Sequence, residues 1–191
     1  SLAGILESLA ELDPAEAPAE RGAALLSLGL LRRLESSRDA FIRSLRRHGE
    51  FLRDWSTARE SGRMLSRREF RASAASSGEG ARQLVLWSLL LEASSAGAAV
   101  MEHAWRGAIE RALALAEASA QSADPKLDAL DNLLAGPLRH HKTIVFTEYR
   151  DTALAIARRL RHRVRLLCVA GDGAWAGTER LTRREALDAF A

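Results

Sequence analysis

The chain has 191 residues, 47% apolar and 28% charged, which suits one ordinary globular domain, or a helical module plus part of another, rather than a disordered segment. Aromatics make up only 5%, so the core must rest on Leu, Ala and Val, and the one cysteine, Cys168, excludes an intramolecular disulfide and a Cys-based zinc site and fits a reducing, cytoplasmic setting. The net charge of +3 is carried almost wholly by arginine, with Lys126 and Lys142 the lysines; phosphate contact and a G- and C-rich genome both account for that choice, so charge alone argues for no partner.

A short first helix is predicted to lead into a linker over Glu11 to Glu20, which holds Pro14 and Pro18. Apolar residues then recur at helical spacing up to about residue 123. The stripes are Leu25, Leu28, Leu31 and Leu34; Phe41, Leu45, Leu52 and Trp55, with Ile42 beside them; Leu84, Trp87, Leu90 and Leu91; and Met101, Trp105, Ile109, Leu113 and Ala116. Helices so patterned must bury their stripes against one another, which predicts a helical bundle. Ser36 and Ser37 are N-cap candidates, Asp39 suits a first turn, and Ser61-Gly62 should end that helix. The run Ser73 to Gly78 reads as a loop, with a new helix near Glu79.

The character of the chain changes near Asp124-Pro125, where Asp124 should cap a helix that opens on Pro125 and stops at Gly136-Pro137. Leu127, Leu130, Leu133 and Leu134 give that helix one apolar face. Thr143-Ile144-Val145-Phe146 is a continuous apolar, β-branched run, which predicts a strand buried on both faces. A helix over Thr152 to Arg161 follows, with Leu154, Ala157 and Leu160 inward, and then a second buried strand over Arg165 to Ala170. Gly171 ends it, a polar Gly-rich loop comes next, and Leu181 to Phe190 is helical. The fold expected is therefore mostly α with a C-terminal α/β portion: a helical region over residues 1–123, then an incomplete parallel βαβ unit over 124–191. Two parallel strands leave open edges and uncovered faces, so the unit is expected to continue in a longer protein. No stretch of about 18 apolar residues predicts a membrane span. No leader follows Ser1, and the native start is expected elsewhere.

Two stretches resemble a known family. Lys126-Leu127 … Leu130 … Leu133-Leu134 … Lys142-Thr143-Ile144-Val145-Phe146-Thr147-Glu148-Tyr149-Arg150-Asp151-Thr152 resembles the opening of the second RecA-like lobe of Swi/Snf-type (superfamily two) DNA helicases, a "KL..L..LL" helix before the motif IV strand. Gly171 after the second strand and Arg183 … Leu187 … Phe190 continue the likeness. Upstream, Leu30-Leu31-Arg32-Arg33-Leu34-Glu35-Ser36-Ser37-Arg38-Asp39-Ala40-Phe41 … Ser44-Leu45 is similar to the segment that follows the first lobe in the RapA/HepA-like branch, with Arg38 where proline is common. Together the two cover about three quarters of the chain.

The resemblance implies a piece of an ATP-dependent DNA translocase, holding the inter-lobe helices and the start of the second, RecA-like lobe. ATP and Mg would belong to the parent protein and none to this chain, which contains no G-x-x-x-x-G-K-[ST] phosphate loop and no acidic magnesium pair. No residue here is assigned a catalytic role. The implied partner is DNA, and a transcription or DNA-processing protein is a further possibility; no membrane is implied. Six residues match positions that line the nucleic-acid groove: Thr147, Glu148, Tyr149, Arg150, Gly171 and Arg183.

Each has a plainer alternative. The Thr147 hydroxyl can donate to a phosphate oxygen, or Thr147 and Glu148 can simply end a strand and cap a helix. Tyr149 can stack on a base or pack against the next helix. Arg183, like Arg180 and Arg184 beside it, suits a phosphate or a solvated helix face. The densest basic cluster, Arg158, Arg159, Arg161, His162, Arg163 and Arg165, reads as a solvent-facing helix end, and Arg43, Arg46, Arg47 and Arg53 lie on the polar side of the Phe41 helix. His140 and His141 have no third ligand at metal spacing, and Cys168, Trp87 and Trp105 read as packing residues. The rival reading is a non-enzymatic helical interaction module that ends in a Rossmann-like unit. A small nucleotide-binding α/β enzyme is a third, weakened by too few strands.

Overall fold

A computed structural model of the chain describes residues 2–10, 17–63, 98–119, 122–171 and 173–191. The elements are α1 (Leu2–Ala10), α2 (Ala17–Ser36), α3 (Arg38–Glu60), α4 (Ala98–Ser119), α5 (Pro125–Ala135), α6 (Arg150–Leu160), β1 (Leu167–Ala170), β2 (Gly173–Ala176), β3 (Glu179–Leu181) and α7 (Arg183–Phe190). The described chain is thus mostly helical, with a small three-stranded sheet near its C-terminal end. It divides into two compact units, one of residues 1–35 and 41–121, the other of Ser36–Ala40 with Ser122–Ala191. The predicted loop at Ser73 to Gly78 and the Leu84 stripe lie outside the described residues. Among those residues, no helix is long and apolar enough to cross a membrane.

The first unit is built on helical spacing. Phe41, Leu45 and Leu52 fall on one side of α3, and Trp105, Ile109, Ala112 and Ala116 on one side of α4. These close over Ile5 and Leu9 of α1 and Leu26 and Leu30 of α2 to make one core. Each Leu or Phe buried there contributes about 1.5–3 kcal/mol over leaving it in water. The fully buried alanines Ala108, Ala112 and Ala116 leave room on α4 for the bulky side chains opposite. Ser37 caps α3 by accepting from the Ala40 backbone N–H at 3.1 Å. Gly62, at φ +65°, lets the chain reverse, and Arg63 N–H reaches Ala58 C=O at 3.0 Å, which closes the helix.

Two sequence expectations change in this unit. The inward stripe of α2 is Leu26, Leu30 and Arg33, whereas Leu25 and Leu28 face water. Leucines crowd every side of Ala-Leu-Leu-Ser-Leu-Gly-Leu-Leu, so its period admits more than one face. The predicted linker also ends early, because α2 already begins at Ala17. Pro18 then occupies the first turn, where its missing N–H has no helical partner to lose.

Among the described residues of this unit, one carboxylate is buried, that of Glu102. Arg106, one turn later, donates to it at 2.7 Å, and Arg59 approaches to 3.9 Å. Ser56 accepts from Arg106 at 3.4 Å and donates to Glu60 at 3.2 Å.

In the second unit, Asp124 caps α5 as expected, accepting from the N–H groups of Lys126 and Leu127 at 3.0 and 3.3 Å. The predicted leucine face of α5 is not buried: Leu127, Leu130 and Leu134 are half-covered, Leu133 is exposed, and Asp131 is the buried residue. Asp131 accepts from Arg163 at 2.6 Å and Asp128 from Arg159 at 2.7 Å. Asp128 stands in the first turn of α5 and Arg159 in the last turn of α6, with Arg163 just past the end of α6. On α6 the inward residues are Asp151, Thr152, Ala155 and Leu160, with Leu154 and Ala157 only half-buried.

The sheet differs most from expectation. Residues 142–147 form no strand, and Ile144, Val145 and Phe146 are 62%, 43% and 89% exposed, not buried on both faces. The second predicted strand does form, as β1, but its neighbour is β2, paired antiparallel with Cys168 opposite Trp175. The Gly-rich stretch read as loop is itself β2 and β3, joined by the two-residue turn Gly177-Thr178, with Trp175 opposite Arg180. Gly177 has φ +62°, the left-handed value that the first position of such a turn demands. The expected parallel βαβ pairing is thus absent among the described residues, and the sheet is an antiparallel meander in the order β1-β2-β3. A local hairpin closes at little entropic cost, whereas parallel pairing of 143–146 with β1 must close a loop over a whole helix.

A capping box opens α7. Thr182 Oγ1 accepts from Glu185 N–H at 3.2 Å, and Thr182 N–H donates to Glu185 Oε2 at 2.7 Å. The backbone and then the side-chain hydrogen bond from Thr182 hold the Glu185 carboxyl below its ordinary range. A depressed carboxylate pKa adds stability above the unfolded value, lost as pH falls through the folded one. In an NMR titration Glu185 should therefore titrate below the ordinary glutamate value of about 4.3. Thr182→Ala keeps the backbone N–H and removes the hydroxyl, so the midpoint should rise part of the way toward that value; an unchanged midpoint would exclude the hydroxyl as a cause.

Candidate functional site

The six residues singled out by resemblance all fall in the second unit, around the start of α6 and the small sheet. Thr147 is half-buried and Glu148 exposed just ahead of the helix. Tyr149, the N-cap residue of α6, is buried and extended in backbone (φ −106°, ψ 130°), so its ring is a packing group and not an open stacking platform. Arg150 sits half-buried with its guanidinium 5.9 Å from the centre of the Trp175 ring, within reach of a cation–π attraction worth about 0.5–1 kcal/mol. Gly171 and Arg183 are brought together, for Arg183 donates to the Gly171 carbonyl at 2.6 Å. That bond ties the first turn of α7 to the end of β1.

Arg150 also acts on Cys168, which faces Trp175 across the ladder. Burial pushes the Cys168 thiol above its ordinary range, and the Arg150 charge pulls it down by less. The thiol is therefore mostly protonated at neutral pH, which suits packing and not nucleophilic attack.

The dense arginine cluster is more engaged than a solvated helix end requires. Arg158 pairs with Asp39, Arg159 with Asp128 and Arg163 with Asp131, while Arg161 donates to His162 at 2.9 Å. Three of its charges thus meet carboxylates of the same unit, which reduces the positive field offered to a phosphate. On α3 of the first unit, Arg46 meets Glu117 at 2.7 Å and Arg47 donates to Ser44 at 3.1 Å. Lys142, just before the apolar run, donates to the Ala191 carbonyl at 2.5 Å and lies 6.0 Å from the centre of the Phe190 ring. Among the described residues, no group of three or more His, Cys, Asp or Glu is placed to hold a metal ion.

Sequence reasoning passed over two participants. Trp175 is the only large apolar residue of its Gly- and Ala-rich stretch, and a lone tryptophan there was the available signal for a packed hairpin. Thr152 was read as the start of a helix, yet its hydroxyl meets those of Ser36 and Ser37 at 2.8 and 2.7 Å. No local pattern marks a contact across more than a hundred residues. No family model, no curated protein and no solved structure matches this chain.

Proposed function

We propose that the chain is part of an ATP-dependent DNA translocase of the Swi/Snf type, RapA/HepA-like branch, in which it supplies the lobe-connecting helices and the opening of the second RecA-like lobe. One observation carries the reading. The most strand-prone segment of the sequence, Thr143–Phe146, lies in chain order between two helices of the second unit, and Ile144, Val145 and Phe146 are left open to water. A helix, a β-branched apolar run and a second helix follow one another in the order of a parallel α/β lobe. An apolar run exposed beside them is what such a lobe buries once neighbouring strands join it.

In this reading the parent protein hydrolyses ATP with Mg in the cytoplasm, and this chain performs no catalysis by itself. Thr147, Arg150 and Arg183 border the path of the DNA backbone, positioning it without reading bases. The test is fluorescence anisotropy with a duplex DNA of mixed sequence over a salt series. Binding should weaken linearly in log–log form as salt rises, and Arg183→Ala should reduce the slope by about one. Absence of duplex binding at low salt, or binding insensitive to salt, would sink the translocase reading and leave the helical interaction module.

A further inference from the structure

Ser36–Ala40 spans the end of α2, the break at Ser37 and the start of α3, yet these five residues group with Ser122–Ala191, while the chain on either side belongs to the first unit. Four consecutive side chains account for it. Ser36 Oγ and Ser37 Oγ lie 2.8 and 2.7 Å from Thr152 Oγ1 on α6, and Ser37 and Thr152 are buried. Arg38 donates to the carbonyls of Ser122 and Ala123 at 2.8 and 3.4 Å, and Asp39 pairs with Arg158 of α6. Capping α3 requires only the Ser37 oxygen, which already accepts from Ala40 N–H. The other partnerships serve no need of the helix.

We propose that Ser36–Asp39 is a clamp that makes the α2–α3 corner part of the α6 body, so that the corner opens with the second unit and not with the helices it joins. The Ser37 and Thr152 hydroxyls form its buried centre, with the half-buried Ser36 hydroxyl beside them, and water cannot replace a lost partner there without opening the corner. The Asp39–Arg158 pair, 46% exposed on both sides, is its solvent-screened rim. The clamp does not depend on the translocase reading.

Hydrogen exchange on the whole chain tests it, because cooperative units exchange together. Leu160→Ala removes a buried side chain at the far end of α6. In that variant, exchange over residues 38–40 should rise together with 150–170, while 44–60 keeps its original rate. Thr152→Val keeps the shape and removes both hydroxyl contacts, so it reports even if Leu160→Ala does not fold. It should speed exchange at Ala40 by about tenfold and leave 44–60 unchanged. Residues 38–40 tracking 44–60 in Leu160→Ala, or an Ala40 rate within about twofold of the original in Thr152→Val, would overturn the clamp.

Discussion

Phe41→Ala should destabilise the helical unit by about 3–5 kcal/mol. Phe41 is fully buried where α3 begins, in the same core as Leu30, Leu45 and Trp105. Truncation removes one of the two fully buried phenylalanines among the described residues and leaves a cavity between helices whose backbones have little freedom to close in. A urea melt followed by helical circular dichroism and by tryptophan fluorescence measures the loss. Leu28→Ala on α2 is the matched control, because Leu28 faces water, and it should fall within about 0.5 kcal/mol of the parent. Equal effects from the two would mean that the core is not where the structure puts it.

A second large effect separates two ways of breaking one ion pair. Arg106→Ala should cost about 2 kcal/mol, because it strips the buried Glu102 carboxylate of its 2.7 Å donor and leaves Arg59 at 3.9 Å. The cost lies below that of a fully buried pair because Arg106 is 31% exposed. Glu102→Met should cost less than about 1 kcal/mol, since Arg106 and Arg59 can turn their charges to water and the apolar side chain fills the space. Urea melts of the two variants check the order. A costlier Glu102→Met would show that the carboxylate is a net stabiliser, contrary to the desolvation argument.

What the sequence revealed depended on how local the determinant was. Caps and stops were legible because a few adjacent residues set them: Ser37 before α3, Gly62 after it, and Asp124-Pro125 at α5. The α3 stripe was legible because its polar face is clean, whereas on the alanine-rich α4 the predicted Leu113 is only half-buried and Ala108 and Ala112 turn inward. On α2 leucine occupies too many positions, and the inward face is chosen by its neighbours, not by its own period. The change of character near Asp124-Pro125 lies close to the seam at residues 121 and 122, but no sequence signal could assign Ser36–Ala40 to the far side of it.

The sheet was misjudged for a related reason. A β-branched run such as Thr143–Phe146 states a preference for burial, not a guarantee of partners, and here it lies exposed. The stretch Gly-Ala-Trp-Ala-Gly-Thr-Glu-Arg-Leu looked like loop because glycine dominates it. Its Gly-Thr pair is nevertheless a two-residue hairpin turn, and the antiparallel register follows from that turn. Of the candidate residues, Arg183 and Gly171 do meet, and Arg150 finds a ring that had not been selected. Tyr149 turned inward, as an apolar ring at the head of an amphipathic helix tends to do.

The measurement that tests the central claim most directly is the reading of the native coding frame on both sides of this segment. The translocase account predicts a G-x-x-x-x-G-K-[ST] phosphate loop and an acidic magnesium pair upstream, and an arginine-finger motif downstream. In that account those groups combine with this chain to hydrolyse ATP. Stop codons or unrelated sequence on both sides would contradict the account, and the chain would then stand as a helical module with a small antiparallel sheet and no part in ATP-driven movement along DNA.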